Sequence, residues 1–243
     1  MLNHTLKLDL DADRHLIVGD LHGRYDIFMR LLERAKYDPS KDIVYSVGDM
    51  IDREEDSVKV VQFFQQPRCY AVNGNHELMA LDSDWYETWI NNGGAECMID
   101  LNRKGLTHEW LKDQLYDLPW VIEVGEDREE NAFRIVHAEV PANWSDVDFV
   151  RAYNEALNVN DPFVARTIWG RTLVNAAAAN VANMRPAAHG IEFHPERYRK
   201  NFCGHTPVNR AIKCGDTWFL DTWRGRCLTL IDAITEERFV EHY

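Results

Sequence analysis

Three short apolar runs, at 15–19 (HLIVG), 43–48 (IVYSVG) and 69–73 (CYAVN), constrain this chain more than any other feature. Each closes at a glycine and a polar residue, and runs of that length bounded by turn residues read as buried strands. Between the first two, Phe28, Leu31, Leu32 and Ala35 follow the i, i+3, i+4, i+7 spacing of an amphipathic helix. Val58, Val61 and Phe64, widened by Val60 and Phe63, do the same between the second and third. Strand and helix alternating with about 30 residues per repeat predict parallel βαβ units.

Residues 77–118 read as mainly helical, broken by the turn at 91–94 (NNGG). Beyond them, 120–124 and 132–136 read as a hairpin, 145–175 as helical, and 200–203, 217–220 and 227–231 as further strands. The segment 176–195 is rich in alanine and asparagine but interrupted by Pro186, Gly190 and Pro195. It reads as a mobile surface connection, with a flap over the site as the alternative.

A chain of 243 residues can build one substantial core, so a single domain over 1–243 is expected. Hydrophobic residues at 45% exclude general disorder. A net charge of −13 argues against general nucleic-acid binding, which needs a basic surface. No apolar run approaches the roughly 18 residues of a membrane helix, and the charged first twenty or so residues lack the apolar stretch of a secretory leader. Five cysteines, odd in number and without a CxxC pair, argue against a disulfide framework and for a reducing, cytoplasmic setting.

Open α/β sheets collect functional groups beyond the carboxyl ends of their strands. Here those ends carry Asp20 and His22, then Asp49, Asp52 and Arg53, then Asn75 and His76. Downstream, His137 follows an apolar run and His205 follows Cys203-Gly204. Singly, each reads as well as a turn residue, a helix cap or a hydrogen-bonded histidine. Jointly, successive strand ends supplying carboxylate, imidazole and amide point to a metal centre. Such ligands suit manganese, iron or zinc, and two cations about 3.5–4 Å apart can clamp a phosphoryl group and acidify a bound water.

In order and separation, GDLHG (19–23), GDMIDR (48–53) and GNHE (74–77) resemble the signature blocks of the phosphoprotein phosphatase family of metallophosphoesterases. His137-Ala138, Ile168-Trp169-Gly170-Arg171 and Gly204-His205-Thr206-Pro207 extend the likeness toward the bacterial and lambda-phage-type protein serine/threonine phosphatases, over about residues 15–232. The resemblance implies a four-layer αββα sandwich of mixed sheets with a dinuclear site at the strand ends. It implies Asp20, His22 and Asp49 as ligands of one metal, with Asp49 bridging to a second held by Asn75, His137 and His205. Arg53 and Arg171 would hold phosphate oxygens beside Asn75 and His76, and His76, oriented by Asp52, would protonate the leaving alkoxide. The nucleophile would be a metal-bound hydroxide attacking in line.

The implied substrates are phosphoserine and phosphothreonine, with phosphotyrosine in second place, in proteins or peptides. Two cations and two arginines would outweigh the three aspartates, so a phosphate dianion could bind despite the acidic chain. Symmetrical diadenosine polyphosphate hydrolysis is the rival on the same blocks; Glu77, where that branch more often has aspartate, favours the protein substrate. A catalytically silent phosphoprotein-binding module is a third reading, set against the complete set of ligands. Glu54, Glu55, Glu139 and Trp223 depart from the family pattern and predict an acidic rim. The oligomeric state stays open, a monomer being compatible.

Overall fold

The computed structural model describes residues 5–126, 128–156 and 161–243. In chain order its elements are β1 (Thr5–Leu8), β2 (His15–Val18), α1 (Tyr25–Arg34), β3 (Ile43–Ser46), α2 (Ser57–Phe63), β4 (Cys69–Ala71), α3 (Asn75–Leu81), α4 (Tyr86–Trp89), α5 (Ala95–Arg103), α6 (His108–Leu115), β5 (Val121–Val124) and β6 (Phe133–Val136). There follow α7 (Asp146–Glu155), α8 (Pro162–Trp169), α9 (Thr172–Ala182), β7 (Lys200–Cys203), β8 (Ile212–Cys214), β9 (Thr217–Phe219), β10 (Cys227–Asp232) and β11 (Arg238–His242). The helical stretch read over 145–175 thus divides into α7, α8 and the start of α9, with 157–160 outside the described residues.

The strands form two mixed sheets. One has the order β11-β10-β2-β3-β4, and the other β1-β5-β6-β7-β9-β8. The βαβ expectation holds: β2, β3 and β4 run parallel, Val44 pairing with Leu16 on one side and with Cys69 on the other. The hairpin holds too, since β5 and β6 are antiparallel with Ile122 opposite Ile135.

The continuous apolar character of the strands follows from burial on both faces. Ile17, Tyr45, Val72, Ile122, Phe133 and Phe202 meet between the sheets. Leu16, Val44 and Leu230 face outward against Phe28, Leu31, Val58, Leu101 and Leu111, which lie on helices α1, α2, α5 and α6. On the other flank Val121, Val136 and Phe219 pack against Phe149, Phe163, Val164 and Val174 of α7–α9. Four layers result, helix, sheet, sheet and helix, and both sheets aim their loops at one edge.

Three strands escape the sequence reading. β1 and β11 are edge strands whose charged residues face solvent, and β8 is too short to show a period.

The segment 176–195 also differs from its reading as a mobile connection. Helix α9 carries its first part to Ala182, and Ala177 is fully buried beside Val174. Its alanines allow close packing on the second sheet's core. From the last turn of the helix, Asn180 Nδ2 donates to the carbonyls of Ala187 and His189, at 3.0 and 2.8 Å, tying the following turn back. Phe193 packs against the same core and closes on Gly215, whose φ of +60° suits glycine.

Inside the second sheet Arg134 is fully buried. It donates to Glu123 through Nε and Nη2 at 3.0 and 2.8 Å and to Asp146 at 2.9 Å, and lies 4.1 Å from the centre of the Phe149 ring. Removing one member of a buried charge cluster strands the others. Arg134→Met is therefore expected to cost about 3 kcal/mol, read as a lowered urea midpoint at unchanged m-value.

Candidate metal centre and phosphate cleft

Asp49, directly beyond β3, lies between two groups of donors. His22 Nε2 is 3.7 Å and His76 Nε2 3.9 Å from its Oδ2, and His137 Nε2 is 3.3 Å from its Oδ1. The donor atoms of His22, Asp49 and His76 lie within 4.8 Å of one another, as do those of Asp49, His137 and His205. Asn75 Oδ1 joins the second group, 2.9 Å from His137 Nε2 and 2.7 Å from His205 Nδ1. Asp20 belongs to neither group; its Oδ2 accepts the His205 backbone N–H at 3.0 Å, and Gly204 leaves room for its carboxylate.

The ring protons show that this donor set fits cations. His137 Nδ1 is 2.8 Å from the Val47 carbonyl, and His22 Nδ1 is 2.9 Å from that of Ile51. A carbonyl only accepts, so each Nδ1 carries the proton. Burial lowers both pKa values, that of His22 strongly, and drives His205 down to about 3, so the rings are neutral. A neutral ring protonated at Nδ1 turns a lone pair at Nε2 toward Asp49. Lone pairs facing a carboxylate at these distances call for a cation between them.

The loops that deliver these groups are strained and cross-braced. His22, Asp49, Asp52, Arg53 and His205 all take positive φ, between +43° and +77°. Such backbone persists only where surrounding contacts hold it. Glu77 supplies several of them: Oε2 accepts the N–H groups of Asp49 and Gly74, at 2.9 and 2.8 Å, and Oε1 accepts that of Met50 at 2.8 Å. It is fully buried beneath the loops. Glu77 thus shapes the backbone of these loops and does not itself face a ligand.

His76 and Asp52 meet as expected, with Nδ1 2.6 Å from Oδ2. Burial opposes a charge on His76, but Asp49 and Asp52 outweigh it and raise its pKa. Trp89 donates its indole N–H to both Asp52 oxygens at 3.0 and 2.9 Å. No signal in the sequence separates it from its aromatic neighbours. Arg53 Nη2 is 3.1 Å from His76 Nε2, and its backbone N–H is held by Gly93 of the NNGG turn at 3.1 Å. Arg171 stands exposed at the head of α9, where its charge adds to burial in keeping His137 and His205 neutral.

The acidic rim needs revision. Glu139 is fully buried, accepting from Leu173 N–H at 2.7 Å and Arg166 at 3.1 Å, so it anchors α9 just behind Arg171. Glu54 and Glu55 are exposed but paired with Arg24 and Arg103. Trp223 is exposed. Asp221 is buried among the site carboxylates and pushed up to about 6, chiefly by burial. Its signal in the sequence is the strand end at Asp221-Thr222. Cys203 is a buried strand residue whose thiol burial pushes far up. Trp85 stacks on Trp169, with 5.6 Å between ring centres, and Trp169 stands edge-on to His205.

Buried carboxylate, imidazole and amide at the strand ends, with arginines at the margin, define a metal-dependent phosphoesterase site. The chain belongs to the calcineurin-like phosphoesterase family, whose profile matches residues 14–209, and it is a hydrolase of that family. It is 29% identical over 213 residues, 86% of each chain, to serine/threonine-protein phosphatase 1 of Salmonella typhimurium. It is 25% identical to the symmetrical bis(5'-nucleosyl)-tetraphosphatase of Shewanella frigidimarina, over 73% of this chain and 62% of that one. A solved structure of a candidate diadenosine tetraphosphatase superposes with a TM-score of 0.61 at 17% identity, covering 99% of both chains, a likeness of fold. Among the described residues no helix is long and apolar enough to cross a membrane.

Stability should report metal binding. Burial raises Asp20 well above the usual carboxylate range, Asp221 to about 6 and Glu77 to about 7. Without metal, the folded chain then keeps protons that the unfolded chain releases above about pH 4. The carboxyl contribution to stability therefore falls as pH rises through 6 and 7, while that of the neutral His22, His137 and His205 is lost only as pH falls below about 6.5. Cations replace those protons, so added manganese is expected to raise Tm by about 5 °C or more at pH 8 and by less at pH 5.5. A Tm indifferent to chelator at both pH values would count against a bound metal.

Proposed function

We propose that this hydrolase is a phosphomonoesterase that removes phosphate from phosphoserine and phosphothreonine in proteins of the cytoplasm, with phosphotyrosine in second place. The observation that carries the reading is the His76–Asp52 pair, buried beside the donor groups, with Trp89 fixing Asp52. An alkoxide is a poor leaving group and needs a proton, whereas a nucleotide departing from a phosphoanhydride leaves as a stable phosphate anion. An imidazole held to a carboxylate, with its pKa raised, suits the first task. The 86% two-way coverage of the Salmonella phosphatase supports the same choice.

In this reading Asp20, His22 and Asp49 hold one divalent cation, and Asp49, Asn75, His137 and His205 a second, with manganese preferred over iron or zinc. The cations would supply positive charge for the phosphate and lower the pKa of a bound water toward neutrality. Arg53 and Arg171 would orient phosphate oxygens, the guanidinium fork matching two oxygens at once. With Asp52 at Nδ1, His76 would take up and deliver a proton at Nε2, which in this structure accepts from Arg53 Nη2 at 3.1 Å.

A second reading, symmetrical cleavage of diadenosine polyphosphates, draws support from the Trp85–Trp169 stack, which offers an aromatic face beside His205. The deciding experiment compares kcat/KM for a phosphoserine peptide and diadenosine tetraphosphate with manganese, using His76→Asn as control. A large peptide preference, lost about 100-fold in kcat in His76→Asn, is expected; preference for the dinucleotide would transfer the site to the second reading. Trp89→Phe should lower kcat about 10-fold with metal content unchanged by elemental analysis, whereas loss of metal would show that Trp89 supports the fold of the centre instead.

A further inference from the structure

The loop carrying His205 runs into a surface unlike the rest of this acidic protein. A groove of about 420 Å³ has Ala178, Val181 and Ala182 of α9 on one wall and Pro207, Arg210 and Arg224 on the other. Two adjoining concavities, of about 270 and 350 Å³, share Arg210 and add Arg238. Several other surface cations are matched by acids: Arg30 and Arg34 bind Glu241, Lys59 binds Asp56, and Arg151 binds Asp148. Arg210 and Arg224 are exposed, and among the described residues neither has a hydrogen-bond or ion-pair partner. Arg238 lies 5.5 Å from the Trp218 ring centre. In a chain of net charge −13, this is a local positive field with no internal counterion.

The groove is joined to the candidate centre at both ends of its wall. Val208 N–H bonds the Asp221 carbonyl at 2.8 Å, one residue beyond Pro207. Helix α9 starts immediately after Arg171, and at about 1.5 Å per residue Val181 lies about 15 Å along it. An extended peptide covers that span in about four or five residues.

We propose that this groove seats an acidic stretch of the phosphoprotein substrate, about four or five residues from the phosphorylated side chain. The inference rests on the phosphoprotein reading above. Guanidinium groups with no internal partner are free to take Asp or Glu in two-point pairs. The apolar wall of α9 offers the peptide stem a dry contact, and the local field favours encounter with an anionic segment over the rest of the surface. The acidic rim expected from sequence would repel such substrates; the unpaired arginines select for them.

The test uses the full-length, manganese-loaded protein and three substrates: phosphoserine peptides with acidic residues three to six positions away on either side, a neutral phosphoserine peptide, and p-nitrophenyl phosphate. The wild type is expected to favour an acidic peptide about 10-fold in kcat/KM, through KM, with the preference shrinking as salt rises. The double variant Arg210→Glu/Arg224→Glu should lose that preference and keep its rate on p-nitrophenyl phosphate. Equal wild-type rates on acidic and neutral peptides, or a preference that survives the double variant, would overturn the proposal.

Direct binding separates this inference from the reading beneath it. A fluorescent, unphosphorylated acidic peptide is titrated into the manganese-loaded protein and followed by anisotropy. Binding weakened about 10-fold or more by the double variant supports the groove even if the enzyme cleaves only diadenosine tetraphosphate, in which case the phosphoprotein reading alone fails. No binding overturns the groove, and tighter binding of a single-stranded oligonucleotide reassigns it to nucleic acid.

Discussion

The buried carboxylate of Asp49 is the constraint on which the candidate site depends. It has almost no access to water, and the ring nitrogens of His22, His76, His137 and His205 surround it. Its backbone serves as much as its side chain. The Asp49 carbonyl accepts the N–H groups of Leu21 and His22, at 3.1 and 2.9 Å, and its Oδ1 accepts that of His76 at 3.1 Å. One residue thus connects the loops after β2, β3 and β4. Displacing it would move donors from three strand ends together.

Around Asp49 the molecule concentrates features that cost stability elsewhere in a fold. Left-handed backbone, unpartnered lone pairs and several raised carboxylates crowd one edge of the two sheets. Two buried groups outside the ligand set keep them in place. Glu77 gathers backbone N–H groups from two loops, and Trp89 directs its indole at Asp52. Each acts through another residue, which is why the site is preorganised before any cation or phosphate arrives. Beneath them, the packed inter-sheet core gives the strand ends a rigid base.

Much of this was legible in the sequence because it is local. β2, β3 and β4 announce themselves by apolar runs closed at glycine, and α1 by the spacing of Phe28, Leu31 and Leu32. The donors follow those strands directly, so finding the strand ends also finds Asp20, His22, Asp49 and Asn75. What stayed hidden depends on partners remote in sequence. β1 takes its place only by pairing with β5, and α9 is ordered by packing that Ala177 and Val174 make on the second sheet. Glu139 looks like a rim charge until Arg166 and the Leu173 N–H enclose it.

The sequence by itself determined the alternating architecture, the donors and their order along the chain, since short-range periodicity and turn chemistry leave few alternatives. Tertiary structure alone decided which acids are buried and which meet solvent. It decided that Glu77 builds loops, that Trp89 rather than Trp85 reaches Asp52, and that Arg210 and Arg224 face a groove without counterions. Burial and charge pairing are properties of neighbourhoods assembled from distant segments, and in a polypeptide those neighbourhoods exist only once the sheets have closed on each other.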